Sequence, residues 1–242
     1  MFTTRISPQD RNALCIAHRG ASAYATENSP EALQIAAQMG ADMVEVDVRV
    51  TADEVPVISH DDSLARVYGI DLLVAQHTLA DIHAHVPLLT FEQVLEQCET
   101  LGLGLYLDIK ALTPLAMQRM FAAIDARSAA HALVFASFNP DTLTMVKAAR
   151  PDMQTAILFG GVDVEPVALA QACQADYVHP CWERVSDRPD ALLTDDWLGA
   201  VREAGLGVVT WHEERPPVIA ALKRLGVTGI CTDQPDLVVS AG

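Results

Sequence analysis

Short apolar runs alternate with amphipathic stretches from one end of the chain to the other. The runs near residues 13–18, 43–49, 104–109, 133–138, 153–159, 176–180, 206–211 and 229–232 have the length and composition of buried strands. Stretches near 30–39, 91–101, 114–129, 140–149, 166–174, 195–204 and 216–225, and a short one after Pro235, carry apolar residues at helical spacing. Eight β/α units in this order predict a parallel sheet. Eight is also the number that closes a (β/α)8 TIM barrel. The helix starts are legible. Ser29-Pro30, Thr113-Pro114 and Asn139-Pro140 each place a capping side chain before a proline at the first helical position, and Thr90 with Gln93 reads as a capping box. Gly40, Gly102, Gly205 and Gly226 mark helix ends.

The stretch from about 50 to 90 breaks this rhythm. It predicts an extra strand over Val55 to Ser59, then a small insertion after the second strand, at about 61–89, before the helix at 91. No linker, low-complexity tract or repeat divides the chain, so residues 1–242 read as one domain.

Composition narrows the partners. The net charge is -16, from 32 acidic and 16 basic residues, with no Lys/Arg cluster. That argues against nucleic acid and against an anionic membrane surface. No apolar run is long enough for an integral membrane segment. Met1 to Arg11 lacks the apolar core of a signal peptide. Cys15, Cys98, Cys173, Cys181 and Cys231 are odd in number and scattered without a CxxC pair, which points to a reducing, cytoplasmic compartment.

Candidate chemistry sits at the ends of the predicted strands, which in a parallel barrel converge on one face. Along the second strand, Val44, Val46 and Val48 point one way and Glu45, Asp47 and Arg49 the other. Two readings stand: an exposed edge with a polar face, or carboxylates aimed into the barrel, where only a cation between them relieves their repulsion. Three valines on the opposite face favour the second, and oxygen ligands suit Mg²⁺ or Ca²⁺. Asp108 and Lys110 repeat the pattern on the next barrel strand, either as a structural ion pair or as a third carboxylate beside a phosphate-binding cation. His18, followed by Arg19-Gly20, and His60, followed by Asp61, end two further apolar runs. A lone histidine there is usually structural. Two on the carboxylate face, each beside a charge, suit proton transfer near neutrality. Arg19 can grip a phosphate bidentately. His77, His83 and His85 fall in the insertion, His131 reads as surface, and His179 and His212 end later strands. Trp211 serves either core packing or a substrate's carbon skeleton. Thr232-Asp233-Gln234-Pro235 reads as a cap for the last helix. GxGxxG after a strand, GxxxxGK[ST], GxSxG and HExxH are absent, which removes the usual nucleotide and serine-hydrolase signatures.

These segments together resemble the glycerophosphodiester phosphodiesterase family over almost the whole length. The resemblance is carried by Ala17-His18-Arg19-Gly20, Glu27-Asn28-Ser29-Pro30-Glu31-Ala32, Gly40 to Val48, Val55 to Asp61, Leu107-Asp108-Ile109-Lys110, Ser137-Phe138, Trp211 and Thr232 to Pro235. It implies a (β/α)8 barrel that hydrolyses glycerophosphodiesters to an alcohol and glycerol 3-phosphate. By the same resemblance His18 and His60 are the acid/base pair, and Glu45, Asp47 and Asp108 bind one Mg²⁺ or Ca²⁺. Arg19 and Lys110 contact the phosphate. The family's third-strand motif usually reads Glu-x-Lys; Asp108 is one methylene shorter, although a related phospholipase D branch also carries Asp there. Ser29 stands for a usual Thr, and Leu64 to Gly69 replaces a Thr-rich stretch.

Two alternatives remain. One is a lysophospholipase D-type enzyme acting on lipid-like diesters, for which Leu72, Leu73 and Val74 in the insertion offer an apolar loop. The other is a non-catalytic barrel that binds an anion or a metal.

Overall fold

Eight parallel strands close into a barrel because each barrel strand is followed by a helix that returns the chain to the same end. The computed structural model describes residues 13–127 and 132–240. In chain order it holds β1 (Leu14–His18), α1 (Pro30–Gln38), β2 (Met43–Val50), β3 (Pro56–Ile58), α2 (Ala65–Tyr68), α3 (Leu79–His83) and α4 (Phe91–Leu101). There follow β4 (Gly104–Ile109), α5 (Pro114–Asp125), β5 (Leu133–Ser137), α6 (Pro140–Ala149), β6 (Gln154–Phe159) and α7 (Pro166–Cys173). The chain ends on β7 (Tyr177–Pro180), α8 (Asp195–Glu203), β8 (Gly207–Thr210), α9 (Pro216–Leu225), β9 (Gly229–Thr232) and α10 (Pro235–Ser240).

The sheet order is β1-β9-β8-β7-β6-β5-β4-β2-β3, and a further β1–β2 pairing closes the ring. All pairings are parallel except β2–β3. β2 is long enough to serve two neighbours on one edge. Its first half pairs with β1, and its last residues, Val48 to Val50, pair antiparallel with β3.

The expected caps form: Ser29, Thr113 and Asn139 each accept a backbone N–H of the first helical turn, and Thr90 and Gln93 complete a capping box. The helix expected over 114–129 ends earlier, with Ala126 as its C-cap; residues 128–129 of that expectation, like His131 and Met1 to Arg11, lie outside the described residues.

Alternation along the strands splits the core in two. Leu14, Ile16, Met43, Tyr106, Val134, Ala136, Ala156, Leu158, Tyr177, Val209 and Cys231 fill the barrel interior. Val44, Val46 and Val48 pack outward against helices, as their spacing predicts. The insertion has its own small core of Val57, Leu64, Leu72, Val74, Ile82, Val86 and Leu88. Leu72 and Val74 are therefore buried and Leu73 is partly buried, which leaves little apolar surface at this point for the lipid-like alternative. α2, α3 and a 3-10 turn at Val74–Gln76 were not legible in the sequence, being only three to five residues each.

Candidate active site at the strand ends

The C-terminal ends of β1, β2, β4 and β9, with the end of β3, bring the predicted residues together. Register does much of this. His18 pairs with Glu45 across β1–β2, and Asp47 pairs with Asp108 across β2–β4. Glu45, Asp47 and Asp108 are buried, and one ligand oxygen from each falls within 4.8 Å of the others. The shorter Asp108 suffices because it sits directly beside Asp47. Glu45 Oε1, Asp47 Oδ1 and Asp108 Oδ1 each lack a hydrogen-bond partner. Three buried, unsatisfied carboxylate oxygens fit a hard divalent cation such as Mg²⁺ or Ca²⁺.

Two cations stand against this cluster. Lys110 Nζ donates to Asp108 Oδ2 at 2.5 Å and lies 3.2 Å from Asp47 Oδ1. Arg19 Nε is 3.2 Å from Asp47 Oδ2, an ion pair without hydrogen-bond alignment, while Arg19 Nη1 donates to Glu27 at 3.0 Å. The Arg19 backbone N–H donates to Glu45 Oε2 at 2.9 Å. That contact needs a left-handed turn: Arg19 has φ 55° and Gly20 φ 80°. A Cβ at Gly20 would lie 2.7 Å from the Ala32 backbone, so glycine is required where the turn meets α1. Asn28 donates to Asp47 Oδ2 at 3.0 Å.

Burial pushes the Glu45 carboxyl well above the ordinary range, and Asp47 and Asp108 add to it. Burial also raises Asp108, against the pull of Lys110. At Asp47 burial acts the same way, but Lys110, Arg19 and His60 outweigh it and hold the carboxyl below its usual value. Negative charge thus concentrates on Asp47, between the two cations.

Both histidines are held at Nδ1 by a carboxylate. His18 Nδ1 is 2.6 Å from Asp233 Oδ1, and its unpartnered Nε2 stands 4.0 Å from Glu45 Oε2. Burial, with Arg19 nearby, lowers the His18 pKa despite Asp233. Burial works against ionised Asp233, yet its bond to His18 holds it down to about 2. His60 Nδ1 is 2.7 Å from Asp61 Oδ1, and Ser59 N–H donates to the Asp47 carbonyl at 2.9 Å, tying the His60 turn to β2. Arg49 Nε donates to the His60 carbonyl at 2.8 Å. Trp211 packs edge-on to His18 at 5.3 Å, and Lys110 Nζ lies 5.4 Å from its ring centre. Phe138, half exposed, leans on Trp211 at 5.9 Å.

Sequence reasoning missed several members. Asp233, whose place before Gln234-Pro235 suggests only a cap, orients His18. Glu27 joins Arg19 to Arg66, and Arg66 also binds Asp61 at 2.5 Å. His212 stacks on His18 at 5.0 Å and reaches Glu214. His179 is buried, bonded through Nδ1 to Tyr106 Oη at 2.7 Å, and burial lowers it to about 3. His77 and His83 bond to backbone carbonyls within the insertion.

Among the described residues no helix is long and apolar enough to cross a membrane. The chain is 26% identical over 242 residues to the glycerophosphodiester phosphodiesterase of Caldanaerobacter subterraneus, covering 94% of this chain and 96% of the relative. It is 25% identical over 255 residues to that of Bacillus subtilis, covering 93% and 84%. Its fold matches an Oleispira antarctica phosphodiesterase solved with the product sn-glycerol-3-phosphate, with TM-score 0.82, 23% identity, and 94% and 96% of the two chains covered. Residues 18–237 match the model of the glycerophosphoryl diester phosphodiesterase family, and the chain belongs to that family.

Proposed function

We propose that this chain hydrolyses small glycerophosphodiesters to an alcohol and glycerol 3-phosphate, using His18 and His60 as the acid/base pair and Glu45, Asp47 and Asp108 to hold one Mg²⁺ or Ca²⁺. The observation that carries the reading is the trio of buried carboxylates with unsatisfied oxygens, flanked by two histidines clamped at Nδ1. A bound divalent cation supplies positive charge that stabilises the phosphoryl oxygens. Arg19 and Lys110 bind and orient the same phosphate. Each histidine, fixed by its aspartate in the tautomer with Nδ1–H, has Nε2 free for a proton. One takes the proton of the substrate's attacking glycerol hydroxyl, and the other gives one to the departing alkoxide. Water then opens the cyclic phosphate with the two roles exchanged. Trp211 and Phe138 pack on the carbon skeleton and exclude water. One domain, with the insertion as a side wall, carries the reaction. None of the five cysteines is in a disulfide, and four of them are buried, which agrees with a cytoplasmic setting.

A panel of glycerophosphodiesters assayed with Mg²⁺, with Ca²⁺ and with excess chelator tests the proposal. Metal-restored release of glycerol 3-phosphate is expected. Full activity in chelator on metal-stripped protein overturns the metal assignment, and no turnover of any diester favours a binding barrel.

One observation favours a lipid-like substrate as a second reading. The exposed large apolar residues among those described, Tyr24, Leu115, Phe138, Val162 and Val185, all lie on segments that follow strand C-termini. They therefore follow the strand ends on the side of the barrel that holds the site. Comparing turnover of glycerophosphocholine with a lysophospholipid separates the two substrates.

A further inference from the structure

His212 has no part in the reaction proposed above, yet it is built into the same centre. It follows Trp211 just beyond β8, with its side chain 20% exposed. Its Nδ1 lies 3.1 Å from both carboxylate oxygens of Glu214 and 3.8 Å from Asp233 Oδ2. Glu214 is itself fixed, since its Oε1 accepts the Asp233 backbone N–H at 2.9 Å. The His212 ring lies within 13° of parallel to the His18 ring, at a centroid separation of 5.0 Å.

Two near-parallel imidazoles thus turn the same edge toward Asp233. His18 Nδ1 meets one oxygen of that carboxylate, and His212 Nδ1 faces the other. Nε2 lies across each ring from Nδ1, so both Nε2 atoms point away from Asp233. For His18 that direction leads to Glu45 in the carboxylate cluster. His212 Nε2 has no hydrogen-bond partner among the described residues, and the stacking on His18 keeps its ring at the edge of the same centre. The groups facing His212 are Glu214, Asp233 and the His18 ring, with Glu183 contributing charge from the β7 side. Burial works against a charged His212, but Glu214 and Asp233 outweigh it and raise its pKa. The ring therefore takes a second proton more readily than a free imidazole does, with Nδ1 held by Glu214.

We infer that His212 is a third histidine of the catalytic centre, whose Nε2–H donates to a phosphoryl oxygen of the diester and of its glycerol 3-phosphate product. This rests on the phosphodiesterase reading above. The bond forms with substrate and strengthens as charge builds on the phosphoryl group. It complements Arg19 and Lys110, which approach from the β1 and β4 side, by adding a donor from the β8 side.

Two substitutions distinguish a substrate donor from a plate that merely supports His18. In His212→Gln the side-chain amide reaches the position of Nε2; in His212→Asn it reaches only that of Nδ1. His212→Asn is expected to lose about ten- to a hundredfold in kcat/KM, the worth of one hydrogen bond to a charged group, and to weaken product inhibition by glycerol 3-phosphate to a similar degree. His212→Gln should recover most of both. Wild-type values in His212→Asn, or better rescue by Asn than by Gln, overturn the inference. A measurement on the unaltered protein covers the case in which a variant misfolds. With histidine ¹⁵N-labelled, saturating glycerol 3-phosphate should shift the His212 Nε2 resonance, and an unmoved resonance overturns the inference. Failure of the wild type to turn over any diester would instead sink the reaction itself.

Discussion

Replacing Glu45 with glutamine should reverse the order of stability between wild type and variant, according to whether metal is present. Glu45 is 2% exposed, and its ionised form is opposed by burial and by Asp47 and Asp108. Glutamine is isosteric and keeps an oxygen for the Arg19 N–H that Glu45 Oε2 now accepts. In chelator, Glu45→Gln removes a group that must either carry a disfavoured charge or hold a proton. A gain of about 0.5–2 kcal/mol, typical where a functional site is relaxed, corresponds to about 1–8 °C in Tm for a chain of this size. With metal the balance inverts. Loss of an outer partner of a ligand already costs about 10–100-fold in affinity, so loss of a ligand costs about the upper figure or more. Metal at 100 times the wild-type Kd stabilises by about 2.7 kcal/mol, or about 5–11 °C. A hundredfold weaker site gains only about 0.4 kcal/mol at the same concentration, about 1 °C. Thermal unfolding in chelator and in Mg²⁺ or Ca²⁺ reads both effects. The pH dependence in chelator follows in sign. Folded Glu45 has a raised pKa, so its contribution is full below the ordinary glutamate value and lost as pH rises through the raised one. Wild type should therefore lose stability over that window and Glu45→Gln should not. A variant less stable than wild type in chelator, with an undiminished metal-induced shift, would refute the reasoning.

Replacing His18 or His60 with alanine should each cost roughly 10²–10⁴ in rate, with the double mutant losing far less than the product of the two. A substrate with a much better leaving group should partly rescue whichever variant lacks the acid, and near-wild-type turnover by both folded variants would remove the pair from the mechanism. Asp233→Asn should lower kcat by roughly 10² or more by freeing the His18 tautomer, with KM little changed; an unchanged kcat counts against that anchor. Because Asp233 is held at about 2, its contribution to stability is present above the ordinary aspartate value and fades as pH falls toward 2, which acid unfolding of the same variant checks. Arg19→Met and Lys110→Met should each impair kcat/KM far more than folding, and equal kcat/KM in wild type and both variants would dismiss their phosphate role.

The barrel was legible because its signals are local. Each strand is a short apolar run, and Ser29-Pro30, Thr113-Pro114 and Asn139-Pro140 start the helices within a few residues of where they begin. The carboxylates were legible for the same reason, since period-two alternation around Val44, Val46 and Val48 already aims Glu45 and Asp47 inward. What stayed hidden depends on closure. Asp233 lies 215 residues from His18, and only the β1–β9 pairing makes them neighbours. Its place before Gln234-Pro235 looks like a helix cap, so the local reading masked the distant one. Asn28 lies in the segment Glu27 to Ala32, but its donation to Asp47 depends on a left-handed backbone, φ 57°, that no periodicity announces.

The insertion was the least readable part, and its link to the centre changes what it is for. Arg66, on α2, donates through both terminal nitrogens to Glu27 at 2.7 Å and through Nε to Asp61 at 2.5 Å. Asp61 is the carboxylate that holds His60 Nδ1, and Glu27 is the one that holds Arg19 Nη1. One half-exposed arginine therefore joins the anchor of a proposed proton-transfer residue to the anchor of a proposed phosphate-binding residue. An isolated surface ion pair would be worth little, but a bidentate pair closing a network restricts rotation at both ends. The small core of Val57, Leu64, Leu72 and Val74 keeps α2 in place beneath this bridge. A segment that reads in the sequence only as an insertion before the helix at 91 is thus a brace for the geometry of His60 and Arg19. Substitutions within it should be judged first by whether they move that brace.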